Sequence, residues 1–210
     1  MTSEIFDKAA ADWDKNELRV RLARTVTAAI RNAIPLNTGM IGLEIGCGTG
    51  LITMELAGEM QSIVATDSSA GMLGTLREKI GGQAAARIIP MQIDLTTDIS
   101  PLAGRTFDLI YSSMTLHHIK DTAGLLGICN TLLIPGGFLA VADLEPEDGS
   151  FHGDMPGVEH HGFHPPDLAS LAADCGFADV NVARIHIISK EDTQGRQRDY
   201  PVFLLTGRRE

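Results

Sequence analysis

The sequence is short of cysteine, of long apolar runs and of basic residues, and each shortage removes a class of function. Cys47, Cys129 and Cys175 are odd in number, widely spaced and include no C-x-x-C pair. They supply neither a disulfide framework nor a structural zinc module, which points to a reducing compartment. No apolar run approaches the ~18 residues of a membrane span. The leading "MTSEIFDKAAADWDK" is polar and acidic, where a secretory leader is basic and then apolar. A cytoplasmic protein with no membrane partner is expected. Seventeen Lys and Arg stand against 27 Asp and Glu, a formal charge of −10, which repels phosphate backbones and argues against nucleic acid. The arginines of "RVRLARTVTAAIR" are expected on a solvated helix face.

What is present describes an ordinary folded domain. The chain has 210 residues, 44% hydrophobic and 21% charged, and no linker, repeat or low-complexity tract divides it. One domain over 1–210 is expected, with a helical cover at 1–34 and a sheet unit at 35–210. Helices are predicted over 3–14 and 16–34, the second with Leu18, Leu22, Val26, Ala29 and Ile30 at helical spacing. Beyond Pro35, "MIGLEIG", "SIVATD", "ARIIPMQID", "FDLIYSSMT" and "GGFLAVADL" alternate with helical or turn segments. Ile-, Val- and Leu-rich runs in that setting are parallel strands covered on both faces. Near the C-terminus, "ADVNVARIHIISK" alternates at Val180, Val182, Ile185 and Ile187, and "YPVFLLTGRRE" follows a polar link too short for a crossover helix. These two pair as an antiparallel hairpin. The fold class is a doubly wound α/β sheet.

The strongest chemical signal is Glu44-Ile-Gly46-Cys47-Gly48-Thr-Gly50. A glycine-rich turn between the first strand and its helix lets a ligand approach the backbone closely. A dinucleotide turn, G-x-G-x-x-G, needs glycine at position 51, and the residue is Leu51. Asp67, at the end of the second strand, is placed to accept hydrogen bonds from both hydroxyls of a ribose. Asp94, at the end of the third, is placed to take the exocyclic amine of adenine. Each strand-end carboxylate is also a candidate helix cap, and Ser68 or Ser69 competes with Asp67 for that task.

In "LEIGCGTG" at 43–50, "ATDSSAGML" at 65–73, "IDL" at 93–95, "FDLIYSSMTLHHIKD" at 107–121 and "LIPGGFLAVAD" at 133–143, the chain resembles the class I S-adenosylmethionine-dependent methyltransferases. Within them it is similar to the small-molecule branch, and resembles the ubiquinone-biosynthesis C-methyltransferases. The resemblance implies a Rossmann-like sheet of order 3-2-1-4-5-7-6 with strand 7 antiparallel, S-adenosyl-L-methionine as cofactor and a small-molecule acceptor. It implies that Gly46, Gly48 and Gly50 shape the turn under the methionyl part. Glu44 orients that turn and, through water, the cofactor ammonium. Asp67 holds the ribose, Ser68 and Met72 line the adenine pocket, and Asp94 with the Leu95 backbone holds the adenine edge. Ser112 offers its carbonyl to the ammonium, and Cys47 packs within the turn. An NAD-linked oxidoreductase and a catalytically silent cofactor-binding protein are the competing readings, and Leu51 and the terminal hairpin count against the first.

Methyl transfer from a sulfonium is an in-line displacement, and a hydroxyl or activated-carbon nucleophile benefits from a nearby neutral imidazole. The candidates are His117 and His118, after the fourth strand, and the histidines of "HGDMPGVEHHGFH" at 152–164, His161 foremost. That stretch does not suit a metal: His160 and His161 are adjacent and point apart, and three glycines and a proline prevent a helix from aligning ligands. Residues 144–166 are instead expected to form an acceptor-side loop, with Phe151 and Phe163 as apolar anchors for a lid. Phe6 and Trp13 either wall the methyl site, with the N-terminal helices as a lid, or pin those helices to the sheet.

Overall fold

A computed structural model describes residues 2–192 and 195–210; residues 193 and 194 of the polar link between the last two strands lie outside them. The chain opens with helix α1 (Thr2–Ala9), a 3-10 turn at Ala10–Lys15 and helix α2 (Glu17–Ala33). The single helix expected over 3–14 is thus interrupted at Ala10. Its Asp7 and Asp14 side chains bond to distant residues, and such tertiary contacts override local propensity. Asn16 caps α2 by accepting from the Leu18 and Arg19 amides at 3.0 and 3.3 Å, which occupies two of the helix's orphan donors. Leu22, Val26 and Ile30 of the predicted stripe are buried.

The sheet comprises β1 (Ile41–Ile45), β2 (Ser62–Asp67), β3 (Ile88–Gln92), β4 (Phe107–Ser113), β5 (Leu133–Leu144), β6 (Phe177–Glu191) and β7 (Gln197–Arg209). Its order is β3-β2-β1-β4-β5-β7-β6. The first five strands run parallel, and β7 is antiparallel to both β5 and β6. This is the order the family resemblance implied. Helices α3 (Leu51–Leu56), α4 (Ala70–Lys79), α5 (Thr122–Leu132) and α6 (Pro165–Asp174) complete the fold. Two apolar layers result. Val26, Ile30, Leu56 and Leu73 lie in one, and Leu43, Val64, Ile110 and Phe203 in the other.

In β6 the pairing register shifts between Arg184 and His186. An extra residue in a strand inverts the inward and outward positions that follow it. Ile188 is consequently buried and Ile187, expected inside, is 45% exposed. The feature that positions the site is the order reversal at β1, which has β2 on one side and β4 on the other. Connections leaving adjacent strands in opposite directions open a crevice at their carboxyl ends.

Candidate functional site

The turn after β1 carries three glycines with positive φ: +68° at Gly46, +53° at Gly48 and +79° at Gly50. Their tasks differ. A Cβ on Gly46 would lie 2.3 Å from Thr115 Oγ1, and one on Gly50 2.3 Å from Leu76 Cδ1. On Gly48 the nearest atom would be Met72 Sδ at 3.9 Å, so this glycine alone faces open space. Asp67 ties this turn to the next: Oδ2 accepts from the Gly48 amide at 2.7 Å and Oδ1 from the Ser69 amide at 2.8 Å. Burial raises the Asp67 pKa, and those two amides oppose the rise. The cap of α4 is Ser69, whose Oγ accepts from the Met72 amide, leaving Asp67 directed at the crevice.

Glu44 is buried on β1, and its Oε2 accepts from the hydroxyls of Thr53 and of Tyr111, the latter at 3.0 Å. Burial pushes its carboxyl up to about 7 despite both bonds. Asp94 stands two residues beyond β3 rather than at its end, and its Oδ1 accepts from the Thr96 amide and hydroxyl at 3.0 and 2.6 Å.

One cavity of about 470 Å³ is lined by Glu44, Gly46, Cys47, Gly48, Asp67, Ser68, Met72, Asp94 and Leu95. Gly50 and Ser112 are not part of its wall. Gly50 is turned onto Leu76. Ser112 is still inside the sheet, paired with Ile45 and Val141, and its hydroxyl donates to the Ile45 carbonyl at 2.8 Å. Ser113 and Met114 take its place at the cavity.

The histidines separate by position. His118 lines the cavity, and its Nδ1–H donates to the Gly157 carbonyl at 2.7 Å. That bond sets the tautomer and leaves Nε2 with a free lone pair. Burial, followed by the neighbouring His117, lowers the His118 pKa and keeps the ring neutral. His117 lies behind it, 1% exposed, with Nδ1–H donating to Asp143 Oδ1 at 2.7 Å and its amide to Oδ2 at 3.2 Å. His161 is away from the cavity: its side chain is 57% exposed, with Nδ1 3.4 Å from Glu147 Oε1. The member of the four-histidine stretch that approaches the site is His152, with ring centroids 4.6 Å from His117 and 5.7 Å from His118. Burial is the main cause that pushes its pKa down to about 3. Among the described residues, no group of three or more His, Cys, Asp or Glu is arranged to hold a metal ion.

The loop after β5 is tied down. The Glu159 and His160 amides donate to the His117 carbonyl at 2.9 and 3.1 Å, and the Phe163 amide to the Leu144 carbonyl at 2.8 Å. Gly162 (φ +79°) is required there, because a Cβ would lie 2.1 Å from the Glu145 carbonyl oxygen. The cavity's cover comes instead from the N-terminal segment, through Phe6, Trp13 and Arg19. Arg19, expected on a solvated face, is half-buried with its guanidinium 3.6 Å from the Trp13 ring centroid, and burial lowers its pKa. Arg19 carried no signal of this role in the sequence, and His152 was one of the four candidate histidines of 152–164 without being set apart from His161, since each gains its setting from segments far along the chain.

A glycine cradle at the order reversal of a doubly wound sheet, flanked by a carboxylate at the end of β2 and another after β3, is an arrangement suited to a nucleoside cofactor. Residues 43–141 match the family model described as "Methyltransferase domain". An uncharacterised methyltransferase of Schizosaccharomyces pombe is 32% identical over 158 residues, covering 69% of this chain and 56% of that protein. A ubiquinone biosynthesis O-methyltransferase of Bradyrhizobium is 28% identical, covering 62% of this chain and 51% of that one. The chain spans about half the length of the curated relatives it matches. The structure of magnesium protoporphyrin IX methyltransferase from Synechocystis with bound S-adenosylmethionine has the same fold: TM-score 0.63, 17% identity, covering 92% of this chain and 80% of that one. Sheet order and cradle agree with the family match, which makes residues 43–141 a methyltransferase domain similar to those of the class I S-adenosylmethionine-dependent methyltransferases.

Proposed function

We propose that the protein transfers the methyl group of S-adenosylmethionine to a small-molecule acceptor held between His118 and the N-terminal aromatic wall. The observation that supports this most is that the cradle of Gly46 and Gly48 shares one cavity with His118, Phe6 and Trp13. The residues suit the cofactor. Gly48 leaves room for close approach to the backbone, Asp67 faces the crevice as a ribose ligand, and Asp94 with Leu95 stands where the adenine edge would fall. Arg19 lines the same cavity with no carboxylate partner among the described residues, which suits the methionyl carboxylate. When bound, the cofactor supplies a methyl group on a sulfonium leaving group.

The chain's own residues orient and desolvate. Phe6, Trp13, Leu22 and Met114 give the acceptor side an apolar wall, which favours a small organic acceptor over a polymer. The His118 Nε2 lone pair takes the acceptor's proton, Gly157 holds that tautomer, and the Asp143–His117 pair backs the ring. A positioned base of this kind contributes about 10²- to 10⁴-fold. The test is tritiated methyl transfer from S-adenosylmethionine across a panel of small hydroxyl, amine and activated-carbon acceptors. His118→Asn is expected to lower kcat at least 100-fold with S-adenosylhomocysteine affinity unchanged. Undiminished turnover in that variant would remove the base.

A further inference from the structure

Two dipeptides seven residues apart, Phe6-Asp7 and Trp13-Asp14, share one arrangement. In each, the aromatic ring lines the cavity, the two rings meet edge-on at 5.8 Å, and the following carboxylate reaches back to the sheet unit. Asp7 Oδ1 accepts from the Ser69 hydroxyl at 2.5 Å and the Gly71 amide at 2.8 Å. Asp14 accepts from the Thr49 hydroxyl at 2.5 Å and pairs with Lys79 at 2.6 Å. Thr49 belongs to the glycine turn, and Ser69 follows Asp67 by two residues. Both carboxylates therefore anchor to the two turns that form the cofactor cradle. The approach is closest at Gly71, where a Cβ would lie 2.8 Å from Asp7 Cα and 2.9 Å from the Asp7 carbonyl oxygen.

We infer that Asp7 and Asp14 are positioning residues. They latch the Phe6–Trp13 wall onto the cradle, so that the acceptor wall is complete only while both turns are in place, and bound cofactor product leaves only when the latches release. The inference rests on the cofactor assignment above but not on the identity of the acceptor or of the base. The same two turns shape both the ligand site and the anchor points, so occupancy of one biases the other. Neither latch is deeply buried, and Phe6 also packs edge-on against His118 at 5.4 Å. Each latch is thus a modest, releasable tie rather than a fixed joint.

The test is the dissociation of tritiated S-adenosylhomocysteine chased with unlabelled ligand, alongside the emission of Trp13, the chain's one tryptophan. Asp7→Ala and Asp14→Ala should each speed dissociation about five-fold. Asp7→Asn, which keeps an acceptor for the Gly71 amide, should restore most of the loss. Gly71→Ala removes no latch atom, yet it must displace the α1 backbone. It should speed dissociation similarly, whatever balance the backbone clash and the better helix propensity of alanine strike in thermal stability. A purely structural role predicts the opposite pattern: lower melting temperatures with off-rates within two-fold of wild type, which overturns the latch. Failure of the wild-type protein to bind S-adenosylhomocysteine overturns the cofactor assignment itself.

Discussion

Glu44 opposes folding by its burial, and in the proposed site it would serve binding. Its carboxyl titrates near 7 when buried, against an ordinary 4.5. The native state therefore holds a proton that the unfolded chain has lost between those values, and stability falls as pH rises through that window. The penalty, on the order of 3 kcal/mol, is complete above pH 7. Glu44→Gln should accordingly raise the melting temperature of the cofactor-free protein by several degrees at pH 8, and the gain should vanish towards pH 5. A cationic ligand beside the carboxylate reverses the preference. S-adenosylhomocysteine affinity should rise from pH 6 to pH 8 in the wild type and stay flat in Glu44→Gln, as titration calorimetry can measure. The second residue-scale expectation concerns Asp143, fully buried and accepting from His117 and from the Leu144 amide. Asp143→Ala strands those donors and should cost about 2–4 kcal/mol in a denaturant melt; a loss under 1 kcal/mol would contradict the assigned pair.

At the scale of elements, the glycine turn separates into parts that can be tested apart. Gly50→Ala drives a methyl into Leu76 at positive φ and should reduce stability through the α3–α4 packing. Gly48→Ala meets open space, so it should cost only about 1–2 kcal/mol of backbone strain while abolishing cofactor binding. Thermal melts and calorimetry on the two variants distinguish these effects. The turn, the strands and the terminal hairpin were legible because local spacing encodes them: glycine where positive φ is needed, uninterrupted Ile and Val where both strand faces are covered. The full sheet order came from the family resemblance. The rest depends on contacts remote in sequence. Nothing local marks Ala10 as the point where the first helix tightens, or Arg184–His186 as the place where β6 gains a residue. The loop at 144–166 read as a lid because it lacks periodicity, and its Glu159, His160 and Phe163 amides are held by the carbonyls of His117 and Leu144. Its histidines divide by the path of that loop, which brings His152 inward and leaves His161 in solvent.

For the whole molecule, the sheet works as a rigid frame and the termini supply its two additions. The β6–β7 hairpin extends the sheet beside β5, while the N-terminal segment crosses over the crevice and supplies Phe6, Trp13 and Arg19. Among the described residues, no helix is long and apolar enough to cross a membrane. The central claim is that one cavity holds the cofactor against the cradle and presents the transferred methyl to His118. A crystal structure with S-adenosylhomocysteine tests it most directly. The account predicts the ribose hydroxyls on Asp67 and the adenine edge at Asp94, each within about 3 Å, with the sulfur facing His118 Nε2 beneath Phe6 and Trp13. Adenosine bound away from Asp67, or a sulfur turned from His118 towards another wall, would contradict it.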